Sequence, residues 1–97
     1  MQARITRYKM KPDATEAFRE TLAGLKDDIM ALPGMQQCVT VMHADGSGYV
    51  IALTDARGSS PESVDRVRAI WHKFQDHIEA IPEPEIFEVV ANWSNPG

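Results

Sequence analysis

Apolar positions in this chain recur with two different periods. Phe18, Leu22, Leu25, Ile29 and Leu32 step by four, three, four and three. That spacing puts them on one face of a helix. The stretch PDATE reads as its start, with Asp13 as the cap and Glu16 three residues on, as in a capping box. Pro33-Gly34 ends it. A second series, Val64, Val67, Trp71, Phe74, Ile78 and Ile81, steps by three, four, three, four and three. Before it stand Ser60, Pro61 and Glu62. They supply a cap, a proline at the first helical position and an acid near the positive end of the dipole. Pro82 and Pro84 close this helix.

The remaining runs are rich in strand-formers. ARITRYKMK ends at Pro12. MQQCVTVMHA and GYVIALTD flank DGSG, a hairpin signal. EIFEVVANW is the last strand. The order β-α-β-β-α-β is the split βαβ arrangement of ferredoxin-like folds. The expected class is α+β, a four-stranded antiparallel sheet with two helices on one face. Lengths agree, since a helix of about 19 residues at 1.5 Å each spans roughly 28 Å. Strands of about eight to ten residues reach a similar distance. All 97 residues, 1–97, are expected in a single domain.

Two helices cover only one face of such a sheet. The other face of an antiparallel sheet meets water when its strands alternate apolar with polar. These do not: YVIAL and CVTVM are apolar at both parities. In EIFEVVANW, Ile86 and Val90 lie on one side, and Phe87, Val89, Ala91 and Trp93 on the other. An apolar second face exceeds what monomers usually expose. A two-fold partner covers it with the same surface. A homodimer through the sheet faces is the expectation.

Composition narrows the partners. Hydrophobic residues make up 43% and charged residues 25%, as in soluble globular domains. The net charge is -4, with no run of Lys or Arg, so neither nucleic acid nor an anionic membrane is an expected partner. The opening MQARITRYKM has no apolar core of a secretory signal. No apolar run is long enough to span a bilayer. The single cysteine, Cys38, forms no disulfide within the chain, which suits a reducing cytoplasm. Between strand-formers Cys38 reads as a small apolar side chain; a nucleophile is the rival reading.

RAIWHKFQDHI concentrates an indole and two imidazoles. Trp71 belongs to the helix's apolar stripe and is expected in the core. His72 falls beside Asp65, Asp76 and Glu79, on the solvated side. His72 and His77 are five residues apart, so they do not stack as i, i+4 metal ligands. HExxH, CxxC, GxGxxG, Walker and GxSxG patterns are all absent from the chain. No metal and no cofactor is expected.

The chain resembles the antibiotic biosynthesis monooxygenase family of dimeric α+β barrels. The resemblance rests on ARITRYKMKPD, on ALPGM at the end of the first helix, on HADGSGYVIALTD and on the terminal EIFEVVANW. It covers nearly the whole length, and these motifs report fold more than chemistry. The family includes cofactor-free oxygenases of polycyclic aromatic substrates and haem-degrading enzymes. The haem-degrading branch uses an asparagine on the first strand, where Thr6 stands here, and a tryptophan about two turns before Trp71. Haem degradation is therefore the less favoured implication.

The resemblance implies a cavity for an apolar or aromatic small molecule. A cofactor-independent monooxygenase acting on an electron-rich aromatic or polyketide-like substrate needs a dry cavity, a proton acceptor and donors to an oxyanion. His43 is the candidate base, because histidine titrates near neutrality. Tyr8, Trp71 and Asn92 are the candidate donors, and Trp93 is a further side chain able to line the cavity. Each has a packing role as its alternative. The rival function is a non-catalytic binding or regulatory module using the same cavity.

Overall fold

The computed structural model describes residues 1–96. Its strands are β1 (Gln2–Lys9), β2 (Met35–Met42), β3 (Ser47–Thr54) and β4 (Glu85–Glu88). Its helices are α1 (Thr15–Gly24), α2 (Lys26–Met30) and α3 (Pro61–His72). The strands form one antiparallel sheet in the order β2-β3-β1-β4, with the helices on one face. This is the α+β, ferredoxin-like arrangement that the periodicity predicts.

The first helix starts and continues differently from the expectation. Asp13 does not cap it: Ala14 is the N-cap and has no side-chain capping bond. Pro12 and Asp13 are the central residues of a tight turn closed by Ala14 N–H to Lys11 O at 3.2 Å. Asp13 takes φ 63°, the left-handed value a type II turn requires there. The helical series then divides into α1 and α2 at Leu25. The Leu25 N–H is shared between Thr21 O and Leu22 O, both at 3.1 Å. Gly24 just before it weakens a continuous helix.

Helix α3, the second of the two predicted helices, is shorter than its apolar stripe. Ser60 caps it as expected, accepting from Ser63 N–H at 3.2 Å, with Pro61 at the start. After His72 the bonds tighten: Lys73 N–H reaches Ile70 O, Phe74 N–H reaches Trp71 O and His77 N–H reaches Phe74 O. The chain is then captured beside β1, where Lys11 N–H meets His77 O at 2.9 Å and Glu79 N–H meets Lys9 O at 3.0 Å. Pairing with β1 replaces the last helical turns. Phe74 and Ile78 remain buried.

The final strand is also shorter than EIFEVVANW suggests. Pairing to β1 ends at Glu88 opposite Gln2, and one further bond joins Val89 N–H to Met1 O at 3.1 Å. From Val90 to Pro96 no strand lies alongside. Val90 and Trp93 are 92% and 93% exposed.

The core is an aromatic cluster under the helices. Tyr8 stacks on Phe18 with ring centroids 5.2 Å apart, and Phe18 meets Phe74 at 5.0 Å. Trp71 joins through Phe74 at 5.7 Å. Gly48 makes the Tyr8 position workable. A Cβ at Gly48 would collide with both the Tyr8 hydroxyl and Val41 O, which bond to each other at 2.7 Å.

Candidate functional site

The strand register lays side chains in rows across the helix-facing side. Arg4 lies opposite Ala52, which lies opposite Cys38. Thr6 lies opposite Val50, which lies opposite Thr40. These two rows floor a cavity of about 50 Å³. Phe18, Leu22, Trp71 and Phe74 supply its apolar walls from above. On a scale of about 10–15 Å³ per water, such a space holds a few waters. A second void, of about 140 Å³, shares Arg4, Val67 and Trp71 with the first and is bounded by Pro82, Pro84 and Ile86. The shared residues are the partition between the two.

Arg4 dominates the electrostatics. It is 6% exposed, and its Nη1 donates to Gly58 O at 3.0 Å. That bond ties β1 to the turn after β3. Burial lowers its pKa, with Cys38 opposing the shift, yet a guanidinium keeps its proton in a protein. Burial pushes the Cys38 thiol up, and the Arg4 charge pulls it back in part. Cys38 is therefore a neutral thiol near pH 7, not an activated nucleophile. Burial also raises the Tyr8 phenol, which stays protonated and donates to Val41 O. Among the residues lining the cavity there is one fixed positive charge, two threonine hydroxyls and a thiol, with no carboxylate and no imidazole. That set suits holding a ligand better than abstracting a proton.

The candidate residues separate into two groups. Trp71 is 7% exposed and lines the cavity. Tyr8 sits one row beyond Thr6, with its ring centroid 6.1 Å from that of Trp71. His43 lies elsewhere, exposed at the β2–β3 loop in a shallow depression with Arg7 and Tyr49. Asn92 is exposed in the C-terminal segment, with Nδ2 3.5 Å from Met1 Sδ. His72 faces solvent, while His77 Nε2 bonds Thr21 Oγ1 at 3.2 Å and fixes the turn after α3 to α1. Among the described residues no three His, Cys, Asp or Glu side chains gather as a metal site requires.

Sequence reasoning missed Arg4 and Thr40, and it weighed Thr6 and Cys38 without placing them in a cavity. In ARITRYK the polar residues Arg4 and Thr6 share a parity with Tyr8, and Ile5 has the opposite one. Hydropathy alone turns Ile5 inward. The aromatic Tyr8 was the usable signal, because its parity brings Arg4 and Thr6 to the helix side with it.

No family model and no curated protein matches the chain. Solved structures do. A protein of unknown function from Nitrosomonas europaea superposes with TM-score 0.76 at 18% identity, covering 99% of this chain and 95% of that one. Rv0793 from Mycobacterium tuberculosis gives 0.63 at 16% identity, covering 96% and 98%. A structure named antibiotic biosynthesis monooxygenase gives 0.61 at 14% identity, covering 94% and 100%. This chain has the antibiotic biosynthesis monooxygenase fold. At these identities the likeness shows the fold and leaves the chemistry to the site. Among the described residues no helix is long and apolar enough to cross a membrane.

Proposed function

We propose that this protein is a small-molecule-binding barrel whose ligand, apolar or aromatic, lies between the sheet and the helices. The observation that carries this reading is the cavity itself: a polar floor of Arg4, Thr6, Cys38 and Thr40 beneath aromatic walls. Pockets of this make-up, mostly apolar with a few convergent polar groups, are how proteins hold small ligands. The ligand enters by displacing the Trp71–Val67 partition, which joins the two voids. The assembly is a homodimer through the open sheet faces. Its support is the exposure of Val39, Val41, Tyr49 and Phe87 on that side.

The second reading is cofactor-independent oxygenation of an electron-rich aromatic substrate. The name of the solved neighbour with this fold favours it. The cavity's lack of a carboxylate or imidazole places binding ahead of it. Two measurements test the pair. Trp71 emission in a Trp93→Phe background is expected to change saturably with naphthalene-sized apolar probes. No saturable change with any of them overturns the binding reading. Oxygen uptake above background with quinol or anthrone-like substrates puts oxygenation first.

A further inference from the structure

We propose that the ligand is a monocarboxylic acid, its carboxylate on the Arg4 guanidinium and its apolar body against Trp71 and Val67. This rests on the reading of the cavity as a ligand site. The starting point is a cation nine-tenths buried with one hydrogen bond to its five donors. The Gly58 bond accounts for Arg4 as a pin on the turn after β3. It does not account for the charge, since a neutral donor reaches a carbonyl equally well.

Among the described residues no carboxylate pairs with it, and the acids of this region are engaged elsewhere or stand apart. Asp55 is paired with Arg57 at 2.7 Å, Glu62 with Arg66 at 3.8 Å and Asp28 with Lys73 at 3.8 Å. Glu83 borders the outer void, but among the described residues it forms no ion pair with Arg4. Cys38, across Ala52 from Arg4, is held as a neutral thiol by burial. A buried cation without a counter-charge is strongly unfavourable in a protein interior. Arg4 borders both voids, so its unfilled donors have space beside them. A carboxylate there takes two parallel N–H bonds from the planar fork.

The charge balance selects the class. Arg4 is the one charged residue lining the inner cavity. A single cation neutralises a monoanion, whereas a phosphate dianion needs further donors. Trp71, Phe18 and Phe74 demand that the rest of the ligand be apolar.

Isosteric pairs of acid and amide test this by titration calorimetry: benzoate against benzamide, and hexanoate against hexanamide. In the unaltered protein the acid of each pair is expected to bind at least tenfold tighter. In Arg4→Gln the preference is expected to vanish. Arg4→Lys, which keeps the charge without the fork, is expected to retain a reduced preference. Acid and amide binding equally in the unaltered protein overturns the acid assignment and leaves the cavity reading standing. A preference that persists in folded Arg4→Gln overturns it as well. Binding of neither member of both pairs overturns the cavity reading and the assignment together. The comparison in the unaltered protein decides the matter even if Arg4→Gln does not fold.

Discussion

The two faces of the sheet are made by the same strands, and they could hardly differ more. On the helix-facing side Arg4, Thr6, Tyr8 and Cys38 are polar residues withdrawn from water. On the other side Val39, Val41, Tyr49 and Phe87 are large apolar or aromatic side chains left at the surface, Phe87 with 45% exposure. Each face departs in part from the usual rule of apolar inside and polar outside. The interior holds more polarity than packing needs, which points to a ligand. The exposed apolar side chains of the exterior are the support for the proposed partner. Parity alone separates the two, because alternate residues of one strand point to opposite faces.

The sharpest way to break this contrast is to truncate one aromatic on each face. Trp71→Ala empties part of the core and is expected to cost about 3–5 kcal/mol, as for other buried large aromatics. Tyr49→Ala, measured at concentrations low enough to keep the chain monomeric, is expected to cost within about 0.5 kcal/mol, as surface changes do. Urea unfolding of both variants checks this. A loss below about 1 kcal/mol for Trp71→Ala would mean that the ring borders an already open cavity and contributes little packing. Gly48→Ala is expected to cost about 1–3 kcal/mol, because the added Cβ overpacks the Tyr8–Val41 contact.

The open face is tested by mass. Light scattering coupled to size exclusion is expected to give twice the chain mass at micromolar concentration. Val41→Glu places a charge in the middle of that face and is expected to give the single-chain mass with an unchanged circular dichroism spectrum. A cooperatively folded monomer of the unaltered chain would show that the face is covered in another way.

Periodicity made the element order and the core aromatics legible. Phe18, Trp71, Phe74 and Ile78 are buried as their spacing predicts. Element ends were less legible, because they are set by competition that hydropathy does not encode. The α3 stripe runs on past His72, but Lys9 and Lys11 of the first strand region take the backbone bonds there. Asp13 had the composition of a cap, and the turn at Pro12 turned it into a left-handed residue instead. Of the side chains singled out in the sequence, Trp71 lines the cavity and Tyr8 stands one row beyond it. Arg4 carries the cavity's charge, yet a lone arginine beside Ile5 looks like an ordinary surface residue until the register places it. His43 and Asn92 have the right chemistry in the sequence and lie away from that cavity in the fold.

A smaller effect tests the capping logic that places Trp71 over the cavity. Ser60→Ala removes the oxygen that accepts from Ser63 N–H and is expected to cost about 1 kcal/mol. The loss is read as a fall in the urea midpoint. No loss would mean that the Ser63 hydroxyl's bond to Arg57 O, at 2.8 Å, holds the helix start by itself.

The smallest contrast lies in the response to acid of the helix-facing side and of the exposed β2–β3 loop. Arg4, Tyr8 and Cys38 on the helix-facing side each keep one protonation state between pH 2 and pH 7, so they add no slope there. Asp45, in the exposed β2–β3 loop, does titrate in that range. Its carboxylate accepts from the Ser47 hydroxyl at 2.7 Å and the Ser47 N–H at 2.9 Å. Those bonds, with a smaller part from Lys9, hold its pKa down to about 2. An unfolded aspartate titrates at about 3.9. Above that value both states are ionised, and the stabilisation from the loop is complete. As pH falls, the unfolded chain takes up the proton first, so the native state loses that advantage progressively until about pH 2. Asp45→Asn keeps an acceptor for the Ser47 N–H and cannot titrate. The urea midpoint of the unaltered protein is therefore expected to exceed that of Asp45→Asn near pH 5 and to converge on it as pH drops to 2. A constant difference over that range would show that the Ser47 bonds do not distinguish the ionised from the protonated carboxyl.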